Sequence, residues 1–160
     1  MVKELLRKLS DAHGVSGCEG SIRDIIRAEV AGSVDEIRED SMGNLIAVKR
    51  GDGFSIMLAA HMDEVGMMVM GFDSDGTIRF SAVGGLDARI LPGTRVLVGP
   101  DRIPGVIGWP PVHLNRGQET MPIDRLRIDI GLTKREAAQK ALTPGDPIIF
   151  ASAFEVLGPT

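Results

Sequence analysis

Disulfide-forming cysteine pairs and aromatic residues are what this chain lacks: its 160 residues hold one cysteine, one tryptophan, five phenylalanines and no tyrosine. The lone Cys18 cannot close an intrachain disulfide, so nothing argues for export and a cytoplasmic location is the expectation. The opening segment Met1–Lys8 reads as an amphipathic helix, with none of the features of a signal peptide. No stretch approaches the ~18 consecutive apolar residues of a membrane span, which excludes a membrane-spanning helix. An excess of positive charge is also missing. Lys and Arg number 18 against 22 Asp and Glu, a net charge of −4 with both signs interspersed. Without a basic face, and without aromatics between basic residues, the pattern of a nucleic-acid binder is absent. Neither nucleic acid nor membrane is expected as a partner.

What the chain does have is aliphatic residues and glycine. Hydrophobic residues make up 43%, with eight methionines, so the core must be built from aliphatic side chains. Twenty glycines imply many tight turns. The length suits one ordinary domain or two small ones, and neither an internal repeat nor a low-complexity tract is present.

The first third reads as helices followed by strands. Val2, Leu5, Leu6 and Leu9 fall on one helical face over residues 1–12, and His13-Gly14-Val15-Ser16-Gly17 breaks that pattern. A second helix is predicted after Gly20, with Ser21 as N-cap and Asp24 three residues on, stopping near Gly32. Val34–Glu39 and Leu45–Lys49 read as strands joined by the turn-rich Asp40-Ser41-Met42-Gly43-Asn44. Ile56–Ala60, continuously apolar, reads as a strand covered on both faces. From Met67 the character changes to short β-like runs: Met67–Phe72, Thr77–Val83, Arg95–Val98, Ile103–Ile107 and Pro147–Phe150. Turn signals such as Asp73-Ser74-Asp75-Gly76 separate them, the signature of a small barrel or sandwich. One helix interrupts them over Lys134–Leu142, with Thr133 as predicted N-cap and Glu136 at the capping-box position. A boundary is therefore expected near residues 67–70.

The chemistry concentrates in Ala59-Ala60-His61-Met62-Asp63-Glu64-Val65-Gly66. Alternate residues of a strand share a face, so His61 and Asp63 project to the same side about 6.5–7 Å apart along the chain. One can bind a metal while the other orients it; the spacing also suits a hydrogen-bonded pair with no metal. The apolar strand favours the first reading, because ligands of open α/β sheets gather at the carboxyl ends of such strands. The long proline-containing loop Trp109–Thr120 carries two further candidates. Trp109 reads either as a cap on the barrel core or as an interface anchor, and His113 either as a structural histidine or as an active-site contributor.

Ala12–Gly20, Asp40–Leu45, Ala59–Gly66, Pro92-Gly93-Thr94 with Ile103–Gly108, Asp129-Ile130-Gly131 and Pro144–Pro147 together, in order and over essentially the whole chain, resemble the tetrahedral metallo-aminopeptidases of the glutamyl or deblocking type. The resemblance implies an α/β fold: residues 1–67 as the N-terminal part of a metallopeptidase domain, residues 68–155 as a small β-barrel or PDZ-like inserted dimerisation domain, and residues 156–160 as the start of the return. It implies a homo-oligomer, dimeric through the insert and dodecameric in the complete enzyme. It also implies peptide substrates cleaved at their N-termini, and two cocatalytic divalent ions, zinc or cobalt, that activate water. Residue by residue, it makes His61 a metal ligand and Asp63 the catalytic-site carboxylate that orients it. Glu64 belongs to the motif without a catalytic role, and His13 matches a structural segment. The family's bridging aspartate, adjacent glutamates, further aspartate and final histidine follow the inserted domain and have no counterparts here, so this chain alone is expected to bind metal weakly at most.

Three functional readings follow from the residues and the resemblance together. The first is the N-terminal portion of an aminopeptidase that needs the missing ligands for activity, and the second a catalytically inactive relative serving as a dimerisation module. A single-metal hydrolase complete in this chain would need at least two more ligands near His61, and no second motif supplies them. An Ile56–Ala60 strand lacking its neighbours would also leave an edge and a face uncovered, so residues 1–66 are not expected to fold alone as in the full enzyme.

Overall fold

The computed structural model of the chain describes residues 2–109 and 122–158. Two helices come first, α1 (Val2–Asp11) and α2 (Gly20–Val30), then an antiparallel strand pair, β1 (Glu36–Glu39) and β2 (Leu45–Val48). Asp40 closes the turn between these strands: its carboxylate accepts from the backbone N–H groups of Met42 and Asn44, both at 2.9 Å, and from the Asn44 amide at 2.9 Å. Arg23 and Arg27 of α2 both pair with Glu39, at 3.2 and 2.8 Å, clamping helix to strand pair.

The second part is a closed six-stranded barrel. Its strands are β3 (Gly66–Phe72), β4 (Ile78–Val83), β5 (Arg95–Val98), β6 (Ile103–Gly108), β7 (Arg127–Asp129) and β8 (Pro147–Phe150), in the order β3-β4-β7-β6-β5-β8 with β8 pairing back onto β3. All its pairings are antiparallel. Met67, Val69, Ile78, Phe80, Val96, Val98, Ile107, Ile128 and Ile148 fill the interior, alternating along most strands with exposed residues such as Arg79 and Ser81. Full burial of each such side chain stabilises by roughly 1.5–3 kcal/mol before entropy is counted. Helix α3 (Arg135–Ala141) joins the core through Ala138, and the residue that follows it, Leu142, does the same. Trp109 packs against this core, in keeping with its reading as a cap; His113 lies outside the described residues. After β8 the chain returns to α1, where the Phe154 N–H donates to the Asp11 carboxylate at 2.6 Å and the Arg7 guanidinium lies 5.2 Å over the Phe154 ring. No helix among the described residues is long and apolar enough to cross a membrane.

Four sequence expectations need correction. Residues 56–60 form no strand; Ile56, Met57 and Leu58 are exposed because no described strand pairs with them. Ser21 does not cap α2: the helix already starts at Gly20, so Ser21 sits inside its first turn, where its hydroxyl donates to the His13 carbonyl. Thr133 does not cap α3: Lys134 occupies the cap position in extended geometry, and its carbonyl accepts from Ala137 and Ala138. Strand β7 was absent from the predicted set. The alternation Leu126-Arg127-Ile128-Asp129-Ile130 is present but short, and β4 and β6 pair with its three central residues to make them a strand.

Candidate functional site

His61 and Asp63 sit on the extended segment that leads into β3. The barrel anchors this segment from one side and the loop between α1 and α2 from the other. Glu64 pairs with Val15 in an isolated parallel bridge: the Glu64 N–H donates to the Gly14 carbonyl at 2.7 Å, and the Glu64 carboxylate accepts from the Gly14 N–H at 3.3 Å. Glu64 thus spends its backbone N–H and its carboxylate on holding the loop.

The structure brings His61 and Asp63 into contact. The His61 Nδ1 lies 2.9 Å from the Asp63 carbonyl oxygen and 3.2 Å from Asp63 Oδ1. Both neighbours are hydrogen-bond acceptors, so Nδ1 carries the proton in the neutral ring and Nε2 keeps its lone pair, a tautomer assigned from this network. The ring is 85% exposed, leaving Nε2 open to a ligand. The other carboxylate oxygen, Asp63 Oδ2, accepts from the Ser16 hydroxyl. That hydrogen bond is the main reason the Asp63 carboxyl is held below its ordinary pKa; the backbone and His61 add to the effect, and burial opposes it.

A shallow cleft of about 170 Å³ lies beside the pair. Glu19 and Arg23 of α2, the Met42-Gly43-Asn44 turn, and Ala60–Asp63 line it. The segments around residues 40–45 and 59–66, distant in sequence, therefore face one another. His13 is not drawn into the pair. Its Nε2 is buried without a hydrogen-bond partner among the described residues, and burial, followed by the nearby Arg102 charge, pushes its pKa down.

As a metal site this donor set is a fragment. An imidazole with Nδ1 tied to a carboxylate and Nε2 free is the arrangement of a ligating histidine, so these residues fit one corner of a divalent-ion site. A zinc site takes three or four protein ligands, and among the described residues no cluster of three His, Cys, Asp or Glu side chains could hold an ion. Sequence reasoning found His61 and Asp63 but gave Ser16 no part. The available signal was a hydroxyl residue between glycines, in a loop breaking two helical patterns.

The model of the M42 glutamyl aminopeptidase family matches residues 43–160. A relative from Acetivibrio thermocellus that carries an aminopeptidase name is 42% identical over 160 residues, covering 98% of this chain and 47% of that protein. Among solved structures, the TET aminopeptidase from a marine-sediment thaumarchaeote is 30% identical with a TM-score of 0.90, covering 97% of this chain and 46% of that one. The Pyrococcus horikoshii TET1 peptidase, which assembles into a tetrahedron or a large octahedral shell, is 37% identical with a TM-score of 0.85, covering 98% of this chain and 48% of its own. The chain spans about half the length of the curated relatives it matches. With the motifs in order, the mixed α/β fold and its barrel shared, and the family model covering most of its residues, the chain belongs to the M42 glutamyl aminopeptidase family.

Proposed function

We propose that this chain is the N-terminal portion of a metal-dependent aminopeptidase that hydrolyses N-terminal residues from peptides, with an active site incomplete in the residues described. The observation that carries the reading is the His61 ring, held at Nδ1 by Asp63 with Nε2 unengaged. His61 is the metal ligand contributed by this chain, and Asp63 aims the ring. Two divalent ions, zinc or cobalt, would supply Lewis-acid activation of water when bound. The remaining ligands would come from the part of the family's length that this chain does not match. The lone cysteine supports a cytoplasmic setting.

Residues 68–155 are proposed as an inserted domain that mediates dimerisation within a larger shell. Closure of the barrel on its own core and the return of the chain to α1 at Phe154 both suit an insertion. The shell-forming behaviour of the P. horikoshii relative supports the homo-oligomer. The same self-sufficient barrel favours a second reading, a catalytically inactive dimerisation module.

The test supplies the C-terminal half of an M42 relative, fused or co-refolded, and measures hydrolysis of amino-acyl anilides with added Zn²⁺ or Co²⁺. Recovery of hydrolysis, its loss in His61→Ala and a drop of about 10–100-fold in Asp63→Asn are expected. Failure to recover either ion binding or hydrolysis, alongside a stable dimer untouched by His61→Ala, would replace the enzyme reading with the module.

A further inference from the structure

We infer that the Gly14–Ser16 segment is the outer support of the His61 site, with Ser16 as a positioning residue that acts through Asp63; this rests on the reading of His61 as a ligand. The His61 ring meets two acceptors at Nδ1, and the loop fixes both. The first is Asp63 Oδ1. Ser16 donates to Oδ2 of the same carboxylate, so the group cannot rotate without losing one bond or the other. The second is the Asp63 carbonyl. In a trans peptide the C=O and N–H point in opposite directions, so the Glu64 N–H donating to the Gly14 carbonyl at 2.7 Å turns the Asp63 C=O toward His61. One loop thereby aims a side-chain oxygen and a backbone oxygen at one ring nitrogen.

Packing holds the loop itself in place. Val15, between the two contacts, is 1% exposed and presses on the start of β3, where a Cβ on Gly66 would lie 2.6 Å from Val15 Cγ2. On the other side a Cβ on Gly14 would lie 2.7 Å from Ile22 Cγ1 and 3.1 Å from the Met62 carbonyl oxygen. Glycine at 14 is what lets helix α2, the loop and the His61 segment close on one another. The motif Gly14-Val15-Ser16-Gly17 thus assigns a separate task to each of its first three residues: close approach, anchoring to the barrel, and a hydroxyl for Asp63.

The test uses two readouts. In this chain without metal, ¹⁵N chemical shifts of the His61 ring report its tautomer. The wild type is expected to show mainly the Nδ1–H form, Ser16→Ala a severalfold larger share of the Nε2–H form, and Ser16→Thr, which keeps the hydroxyl, the wild-type pattern. If Ser16→Ala does not fold, Ser16→Cys, near in size and a weak donor, replaces it. In the assembled enzyme, Zn²⁺ affinity measured against a competing chelator is expected to fall about tenfold in Ser16→Ala and to recover in Ser16→Thr. Wild-type tautomer and wild-type affinity in Ser16→Ala would overturn the inference, as would Ser16→Thr behaving like Ser16→Ala. Zinc binding by His61→Ala as tight as wild type would instead defeat the ligand reading, and the tautomer ratio would still decide the role of Ser16.

Discussion

The barrel and the segment before it both carry apolar runs, yet only the barrel buries most of what it has. Of the described buried apolar side chains, only Val15 and Ile22 precede residue 66, and the others belong to the barrel and the elements that close it. Phe54 is 99% exposed and Leu58 93%, and Val2 and Leu6 on the apolar face of α1 are also exposed. Each barrel strand has two hydrogen-bonded neighbours and an inward face shared by all six. Residues 54–60 have neither, so their hydrophobicity has nothing to act on. Hydrophobic pattern makes a strand possible, and a partner makes it a strand.

The sharpest way to break this comparison is to truncate one apolar side chain in each region. Ile128→Ala, in the fully buried centre of β7, is expected to cost about 2–5 kcal/mol, and Leu58→Ala to stay within about 0.5 kcal/mol. Urea unfolding followed by the fluorescence of Trp109, which packs on the barrel core, measures both. Equal losses would mean that residues 54–60 are covered in solution.

A smaller effect is expected at Gly76, in the β3–β4 turn. Its φ is +85°, and a Cβ there would lie 2.4 Å from the Leu132 carbonyl oxygen, so Gly76→Ala combines left-handed strain with a backbone clash. A loss of at least about 1–3 kcal/mol is expected in the same unfolding assay. An unchanged midpoint would mean that the barrel tolerates movement between this turn and the segment preceding α3.

The smallest effect is a dependence on pH. Hydrogen bonds from the Asn44 side chain and backbone hold the Asp40 carboxyl below its ordinary 3.8, and Arg89 holds Asp87 down at about 2. A depressed folded pKa gives stability that is fully present above the unfolded value and is lost as pH falls through the folded one. Both contributions should therefore decay only below about pH 4. Amide exchange in the Asp40–Asn44 turn should quicken there before exchange in the barrel strands does, and Asp40→Asn should flatten that acid dependence. Simultaneous loss in both regions would mean that the helix–strand unit and the barrel unfold together.

How much was legible in the sequence follows the same division. Arg95–Val98 and Pro147–Phe150 were predicted to the residue, because short β-branched runs between turn signals have few other solutions. The predicted helix caps failed because the boundaries shifted: α2 starts two residues before the position Ser21 as a cap would give, and α3 one residue after that of Thr133. At the candidate site the His-x-Asp spacing was enough to foresee the contact, which short range alone nearly guarantees. Ser16 lies 47 positions from Asp63, so its contact could not be read from spacing.

By itself the sequence determined the membership of the family, the barrel-like rhythm of residues 67–150 and the pairing of His61 with Asp63, because each rests on local order: motif, alternation and a two-residue offset. The tertiary structure alone decided that β7 would lie between β4 and β6, that residues 56–60 would form no strand, and that Ser16 would hold Asp63. Those outcomes depend on which distant segment arrives alongside, and pairing across long separations is a property of the packed chain.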